Sequence, residues 1–382
     1  MRLTSLSLQH FRNHLNTSFV FGDGTNILLG NNGEGKTNVI EAISYLCLTK
    51  SFYAGGDPFV LNFGKSMFEV EGTFISDAGI ESNVRVAYAE PEGEKLFSLN
   101  GKKIEPFSSV IGRFPVVICS PEHAPLTMGS PAERRKFVDL VLSQSSSMYF
   151  QDLLEYRRVL KQRNRILLNA KISRSDCSEM IAPWDDQLVM LGSRIMFRRK
   201  KFIGEFESFV RSAYERFVER GESPSIEYRP TMKFAPSADE REFVDLLKFE
   251  LQAKKEEEQR MGTTLAGPQR DEFMLKIDGL ELRKFASQGQ HKTFLVAVKI
   301  AEFFFLKERC YETPILLLDD VFSELDEHRT AKVLQFAGEL SQTFITSTSP
   351  HLFESTVSAN EGNKRFFIHN GTAEDWKATV SL

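Results

Sequence analysis

Cysteine is scarce in this chain of 382 residues: there are four, Cys47, Cys119, Cys177 and Cys310. None forms a CxxC pair or a metal-binding spacing, which argues against a disulfide framework or a zinc hook and suits a reducing compartment. Long apolar runs are also missing. The longest, residues 294–306, is interrupted by Lys299 and Glu302, so no membrane span is expected. The opening residues, MRLTSLSLQHF, lack the apolar core of a signal peptide. Together these absences lead us to expect a soluble, cytoplasmic protein. Charge of one sign is lacking too. With a net charge of −4, any nucleic-acid partner must be met by a local basic patch, since the overall field will not attract it. There is no internal repeat and no low-complexity segment.

What is present alternates between two styles. The first 120 or so residues read as short strands and turns: period-two character in RLTSLSLQHF, a buried strand in TNILLG, and strands near 67–75, 83–89 and 95–99 with LNGKKI as a hairpin. Helical periodicity appears in NVIEAISYLCL, and FPVVICS is a further apolar strand. Residues 131–218 are almost wholly helical in pattern, broken near Ser173–Pro183, and 237–259 form a charged helix. SIEYRPTMKF suggests a strand, and alternation resumes at EFMLKIDGLELRKF. The pattern predicts an α/β unit split in sequence (1–125 and 261–382) around a mainly helical insertion, 126–260, of ~130 residues, near the usual size of one domain.

GNNGEGKT matches the phosphate-loop spacing G-x-x-x-x-G-K-[ST]. Gly30, Gly33 and Gly35 permit the tight backbone, so that N–H groups of Asn31, Asn32, Glu34 and their neighbours converge on an anion. The helix entered at Lys36, Thr37 and Asn38 adds its positive end. Lys36 would reach the β and γ phosphates of ATP, and the Thr37 hydroxyl would bind Mg²⁺. The alternative, a glycine turn that only caps a helix, ill suits a loop set between an apolar strand and a helical pattern.

ILLLDD reads as a central parallel strand with Asp319 and Asp320 at its C-terminal edge, where ligands bind in open sheets. Asp319 would complete the metal shell, and Asp320 would orient the attacking water. A second strand, QTFITSTS, should lie beside it with Thr346–Thr348 facing the γ phosphate. Further upstream, SQGQ (Ser287, Gln288, Gly289, Gln290) opens an apolar helix. Alone it reads as an ordinary N-cap. In company with the other two motifs it reads as a second anion site.

LSLQHFRNH, GNNGEGKTNVIEAI, ICSPEHAPLTMGSPAERRKFVD, GPQRDEF, FASQGQHKTFLVAVKIAE and LLLDDVFSELD, in this order, resemble the SMC-like branch of the ABC ATPases and, within it, the RecF family of bacterial recombination mediators. The resemblance spans nearly the whole chain. It implies an α/β ABC-type ATPase head, mixed sheets around the phosphate-loop helix, with an inserted helical arm. It further implies that Ser287–Gln290 cap the partner's ATP, that Ser323, Glu324, Leu325 and Asp326 link the two sites of a homodimer, and that Arg12 lies near the nucleotide. Ser120 stands where relatives carry a glutamine, and Glu122 offers a carboxylate close by. The second acid, Asp320, is an aspartate where a glutamate is usual, which fits slow, switch-like hydrolysis. The implied activity is a weak DNA-dependent ATPase that dimerises on ATP, clamps double-stranded or ss/ds-junction DNA, and works with RecR to load recombinase at gaps.

For DNA, the residues themselves supply basic helix faces. Arg157, Lys161 and Arg165 recur at i, i+4, i+8 in YRRVLKQRNRILLNAK, and RIMFRRKKF adds Arg194, Arg198, Arg199, Lys200 and Lys201. Such faces neutralise backbone phosphates without reading sequence; solvated helices paired with acids elsewhere are the other possibility. Two rival function classes remain. A P-loop phosphotransferase would need neither SQGQ nor FSELD. A Rad50-like or OLD-like ATPase serving a nuclease would need long heptad arms with a CxxC hook, or a downstream acidic domain.

Overall fold

The structure, a computed structural model, describes residues 1–53, 55–218, 221–322, 327–350 and 362–375. In chain order it begins with β1 (Arg2–Phe11), β2 (His14–Val20), β3 (Thr25–Leu29) and α1 (Lys36–Leu48). Next come β4 (Met67–Ile75), β5 (Glu81–Ala89), β6 (Glu94–Leu99), β7 (Lys102–Lys103) and β8 (Val116–Cys119). A helical stretch follows: α2 (Pro125–Met128), α3 (Pro131–Ser145), α4 (Ser147–Ser173) and α5 (Ser178–Glu215). Then β9 (Pro224–Arg229), α6 (Glu240–Ala253), α7 (Lys255–Met261), β10 (Glu272–Ile277), β11 (Leu280–Glu281) and α8 (Leu282–Phe285) lead into the long α9 (Gln288–Cys310). The chain closes with β12 (Ile315–Leu318), α10 (Glu327–Leu340), β13 (Thr343–Ser347), β14 (Lys364–His369) and β15 (Thr372–Asp375).

By contacts the chain divides into two compact units, 1–124 with 295–382, and 125–294. In the first, an antiparallel sheet has the order β2-β1-β4-β5-β6-β7 and a second sheet the order β15-β14-β3-β13-β12-β8. Strands β14, β3, β13, β12 and β8 run parallel. Four of them, β3, β13, β12 and β8, read as unbroken buried runs, as strands covered on both faces must. Helix α1 packs between the sheets, touching β1, β4 and β13. Its apolar residues are buried all round, and Tyr45 meets Phe11 and Phe68 edge-on at 5.6 and 5.7 Å. Gly72 on β4 leaves no space for a side chain, because an added Cβ would lie 2.6 Å from Leu46 on α1. All five parallel strands end at one edge, so everything that follows them shares that edge.

The second unit is built on a helical hairpin. Helix α4 buries Tyr149, Leu153, Tyr156, Val159, Arg163, Leu167 and Ala170, a stripe at three- and four-residue spacing that packs on α5. Ser146 caps α4 by accepting from Tyr149 N, and Asp239 caps α6 by accepting from Glu242 N. The break in the helical pattern falls at 174–177, and Pro183 lies inside α5. The structure also moves one boundary. The sequence returns to strand-like alternation after 260, but β10 pairs antiparallel with β9 along its whole length, so 261–294 belong to the second unit. A short strand joins whichever neighbour offers an open edge, and the sequence does not say which that is.

Candidate functional site

The loop after β3 and the acids after β12 meet at the shared sheet edge. Gly33 and Gly35 have positive φ, 83° and 112°, which only glycine adopts without cost. The Thr37 hydroxyl, at the first turn of α1, donates to Asp319 Oδ1 at 2.9 Å. From β13, Thr346 Oγ1 donates to the same oxygen at 2.8 Å and accepts from the Asp320 backbone N–H at 2.9 Å. Thr346 therefore brackets both acids. Asp320 itself has φ +48°, a conformation costly for a residue with a Cβ, and such strain collects at working sites. A cleft of about 150 Å³ is lined by Asn32, Gly33, Gly35, Lys36, Thr37, Asn38, Asp320, Thr346 and Thr348.

The electrostatics suit an anion with a divalent cation. Burial lowers the pKa of Lys36, while Asp320, Asp319 and Glu34 pull the other way. Its ammonium donates to Gly30 O at 2.8 Å and Asn31 O at 2.7 Å, which uses two of its three N–H donors. Burial raises the pKa of Asp319; the bonds from Thr346 and Thr37 lower it, and nearby Asp320 adds to the rise. A buried carboxylate beside another acid is relieved by a cation. Among the described residues no cluster of three or more His, Cys, Asp or Glu side chains is placed to hold a metal. The Thr37–Asp319 pair offers instead two hard oxygens at 2.9 Å, a donor set that fits Mg²⁺ when phosphate oxygens and water supply the rest.

Other expected residues lie elsewhere. Arg12 grips both oxygens of the fully buried Glu41, at 2.8 and 2.9 Å, and Phe59 O at 2.9 Å. It faces Glu41 and does not line the cleft, because a carboxylate with no exposure needs its counter-charge. Ser120 follows β8 and bonds to His123 at 2.9 Å, with Glu122 exposed next to it. Ser287–Gln290 form a reciprocal cap at the start of α9. Ser287 N donates to Gln290 Oε1 at 2.8 Å and Gln290 N to Ser287 Oγ at 3.2 Å, the capping-box arrangement. Ser323–Asp326 lie outside the described residues.

The basic helices of the second unit sort into two kinds. Arg157, Lys161 and Arg165 are exposed on one face of α4, although Arg157 also lies 3.4 Å from Asp139. On α5 most of the charge is spent. Arg198 pairs with Asp152 at 2.6 Å, with Arg194 on the same carboxylate at 3.7 Å. Arg199 is fully buried and bonds to Tyr149, Asp139, Asp271 and Pro268 O. Lys200 donates to Ala238 O at 2.7 Å. Lys201 is exposed, 5.5 Å from the Phe197 ring. The expected basic face on α5 is thus thinned: acids from other elements pair with Arg194, Arg198 and Arg199, a backbone carbonyl holds Lys200, and Lys201 stays exposed. Sequence reasoning also passed over Asn13, His14 and the β14–β15 turn, all of which touch the phosphate loop. Asn13 and His14 close the LSLQHFRNH motif, but nothing in its spacing assigns them a partner, and no motif marks the β14–β15 turn.

Comparison with known proteins sharpens the picture. A family model described as an AAA domain matches residues 5–179. The DNA replication and repair protein RecF of Salinibacter ruber is 41% identical over 368 residues, covering 96% of this chain and 89% of the relative. That of Chloroherpeton thalassium is 42% identical over 351 residues, with 91% and 95% covered. A solved structure of the recombination mediator protein RecF-ATP in the RecFOR pathway superposes with a TM-score of 0.90 at 29% identity, covering 98% of this chain and 97% of that one. The Smc head domain from Pyrococcus furiosus gives 0.56 at 14% identity, covering 98% of this chain and 95% of that one, and shares the fold.

Proposed function

Since the chain belongs to the RecF family, we propose that it is an ATP-driven DNA-binding switch of replication and recombinational repair. The first unit binds ATP through the phosphate loop. The observation that carries this is the convergence of Thr37, Asp319, Thr346 and Asp320 on one cleft beside Lys36. Mg²⁺, held by Thr37 and Asp319, would neutralise charge on the β and γ phosphates. Lys36 binds the same oxygens with its remaining donor. Asp320 accepts a hydrogen bond from the attacking water and holds it in line, and its fixed backbone keeps the carboxylate at the cleft.

The finer reading takes the second unit as the arm. ATP brings two chains together, with Ser287–Gln290 of each capping nucleotide held by the other and Ser323–Asp326 linking the two sites. The dimer clamps double-stranded or ss/ds-junction DNA without sequence preference, using Arg157, Lys161 and Arg165 together with Lys201. Slow, DNA-stimulated hydrolysis resets it. The RecFOR pathway named for the solved relatives supports DNA and RecR as partners in loading recombinase. A cytoplasmic place on the nucleoid follows from that role.

A binding and single-turnover experiment separates the parts. Lys36→Ala should weaken ATP binding by about 100-fold or more, since it removes the charge on the phosphates. Asp320→Asn should keep ATP bound while hydrolysis falls ~10²-fold or more. Near-parental ATP affinity in Lys36→Ala would overturn the nucleotide site.

A further inference from the structure

Two turns that belong to no phosphate-binding motif grip the phosphate loop from outside. Because β14 runs parallel to β3, its end, His369–Gly371, arrives at the same edge as the loop. The turn between β1 and β2 arrives there too. Asn13 Nδ2 donates to Glu34 O at 2.9 Å, and Gly371 N donates to the same oxygen at 3.0 Å. His14 Nε2 lies 3.1 Å from Gly35 O. A carbonyl only accepts, so this bond needs a proton on Nε2; Nδ1 lies 3.1 Å from Thr17 Oγ1, and burial lowers the ring's pKa. The turns are tied to one another as well, since Thr17 Oγ1 donates to Gly371 O at 2.6 Å. Asn38 Nδ2 on α1 donates to Asn13 Oδ1 at 2.7 Å.

The peptide plane gives this grip its consequence. In a trans peptide the carbonyl of one residue and the N–H of the next point in opposite directions. Pinning the Glu34 carbonyl outward therefore aims the Gly35 N–H to the other side, into the anion nest; the Gly35 carbonyl, which also accepts from Asn38 N at 3.1 Å in the first turn of α1, does the same for the Lys36 N–H. The Glu34 carboxylate is held by the same turn: it accepts from Asn370 N and lies 3.3 Å from His369 Nδ1. The fit has no slack. A Cβ on Gly35 would lie 2.5 Å from Asn13 Oδ1 and 2.9 Å from His14 Nε2, and one on Gly371 would lie 2.2 Å from Asn13 O.

We propose that Asn13 and His14, braced by the 369–371 turn, are positioning residues that preorganise the phosphate loop and so set nucleotide affinity. This rests on the reading of that loop as an ATP site. Preorganisation lowers the ordering cost of binding, and each clamp bond, by the usual worth of a hydrogen bond, accounts for about ten-fold in affinity.

The test uses the full chain, with melting followed with and without Mg²⁺–ATP and dissociation constants measured. Asn13→Ala should lower the ligand-free midpoint by only a few degrees, weaken ATP about ten-fold and shrink the ATP-induced rise in midpoint. His14→Met should weaken ATP at least as much. His14→Gln should recover most of the affinity, because its amide nitrogen reaches the place of Nε2. Parental affinity in Asn13→Ala and His14→Met, with Lys36→Ala defective, overturns the proposal and leaves the ATP site standing. If His14→Met does not fold, Asn13→Ala decides. Equal losses in His14→Gln and His14→Met overturn the assignment of His14. Parental binding by Lys36→Ala overturns the ATP-site reading, and this proposal with it.

Discussion

The phosphate edge of the first unit and the basic helices of the second began as the same kind of object, a cluster of charged and polar residues in the sequence. Folding treats them in opposite ways. At the phosphate edge, residues far apart in sequence converge, so that Thr37, Asp319, Asp320 and Thr346 share bonds of 2.8–2.9 Å. On the helices, neighbours in sequence diverge. Arg163 turns inward to Asp185, Glu258 and Thr264, while Arg165, two residues on, is exposed. Arg199 ties α5 to α3, α4 and the 268–271 segment, and Lys201 is a surface charge. Function is legible where a motif states its own geometry. It is obscured where an arginine may equally be a counter-ion.

The comparison breaks first, and hardest, at Arg199. Arg199→Met leaves Asp139 and Asp271 buried without their partner. Loss of one member of a buried pair costs ~3–5 kcal/mol. Burial already holds the pKa of Asp271 up at about 6, so part of that loss would appear as uptake of a proton. Thermal unfolding should show the second unit melting well below the parent, while the exposed Arg165→Ala changes stability by less than ~0.5 kcal/mol. Similar melting curves for the two variants would erase the distinction between buried and exposed arginines.

A smaller effect sharpens the other half of the contrast. Arg157→Ala, Lys161→Ala and Arg165→Ala together should weaken binding to duplex DNA and flatten its salt dependence, each lost phosphate contact removing ~0.9 from the log–log slope. Arg157, shared with Asp139, should contribute least. Arg198→Ala should leave the slope unchanged, because its charge is spent on Asp152. An unchanged slope in the triple variant would place DNA off the α4 face.

How much was legible follows from the same physics. The strands β1, β3, β4, β8 and β12, the helix α1, the LNGKKI hairpin and the parallel pairing of β12 with β13 were readable from periodicity and turn residues. So was the phosphate loop, whose spacing is local. The bracing of Asn13 and His14 by the 369–371 turn was not, because it depends on β14 lying beside β3, a pairing between residues more than 300 positions apart that no local pattern encodes. Assignment of 261–294 to the second unit depends likewise on the β9–β10 pairing. The sorting of α5 was hidden because Asp139, Asp152 and Asp271 come from other elements. Ser287–Gln290 illustrate the limit from the other side: the cap was readable, and its geometry suits both a plain helix start and a trans anion site.

That last ambiguity is also where the central claim, a composite ATP site completed by a second chain, is most exposed. The direct measurement is oligomeric state and ATP hydrolysis for Ser287→Arg, for Lys36→Ala, and for the two mixed. Ser287→Arg should bind ATP as a monomer with near-parental affinity, because Lys36 and Thr37 of the same chain hold the phosphates. It should fail to dimerise, since the arginine blocks the N-terminus of α9. Lys36→Ala should bind ATP about 100-fold more weakly or worse. Mixed, the pair should recover part of the hydrolysis through one intact site, with Lys36 from the first chain set against Ser287 from the second. If Ser287→Arg dimerises with ATP like the parent, or if the mixture hydrolyses no faster than either variant alone, the composite-site account is contradicted.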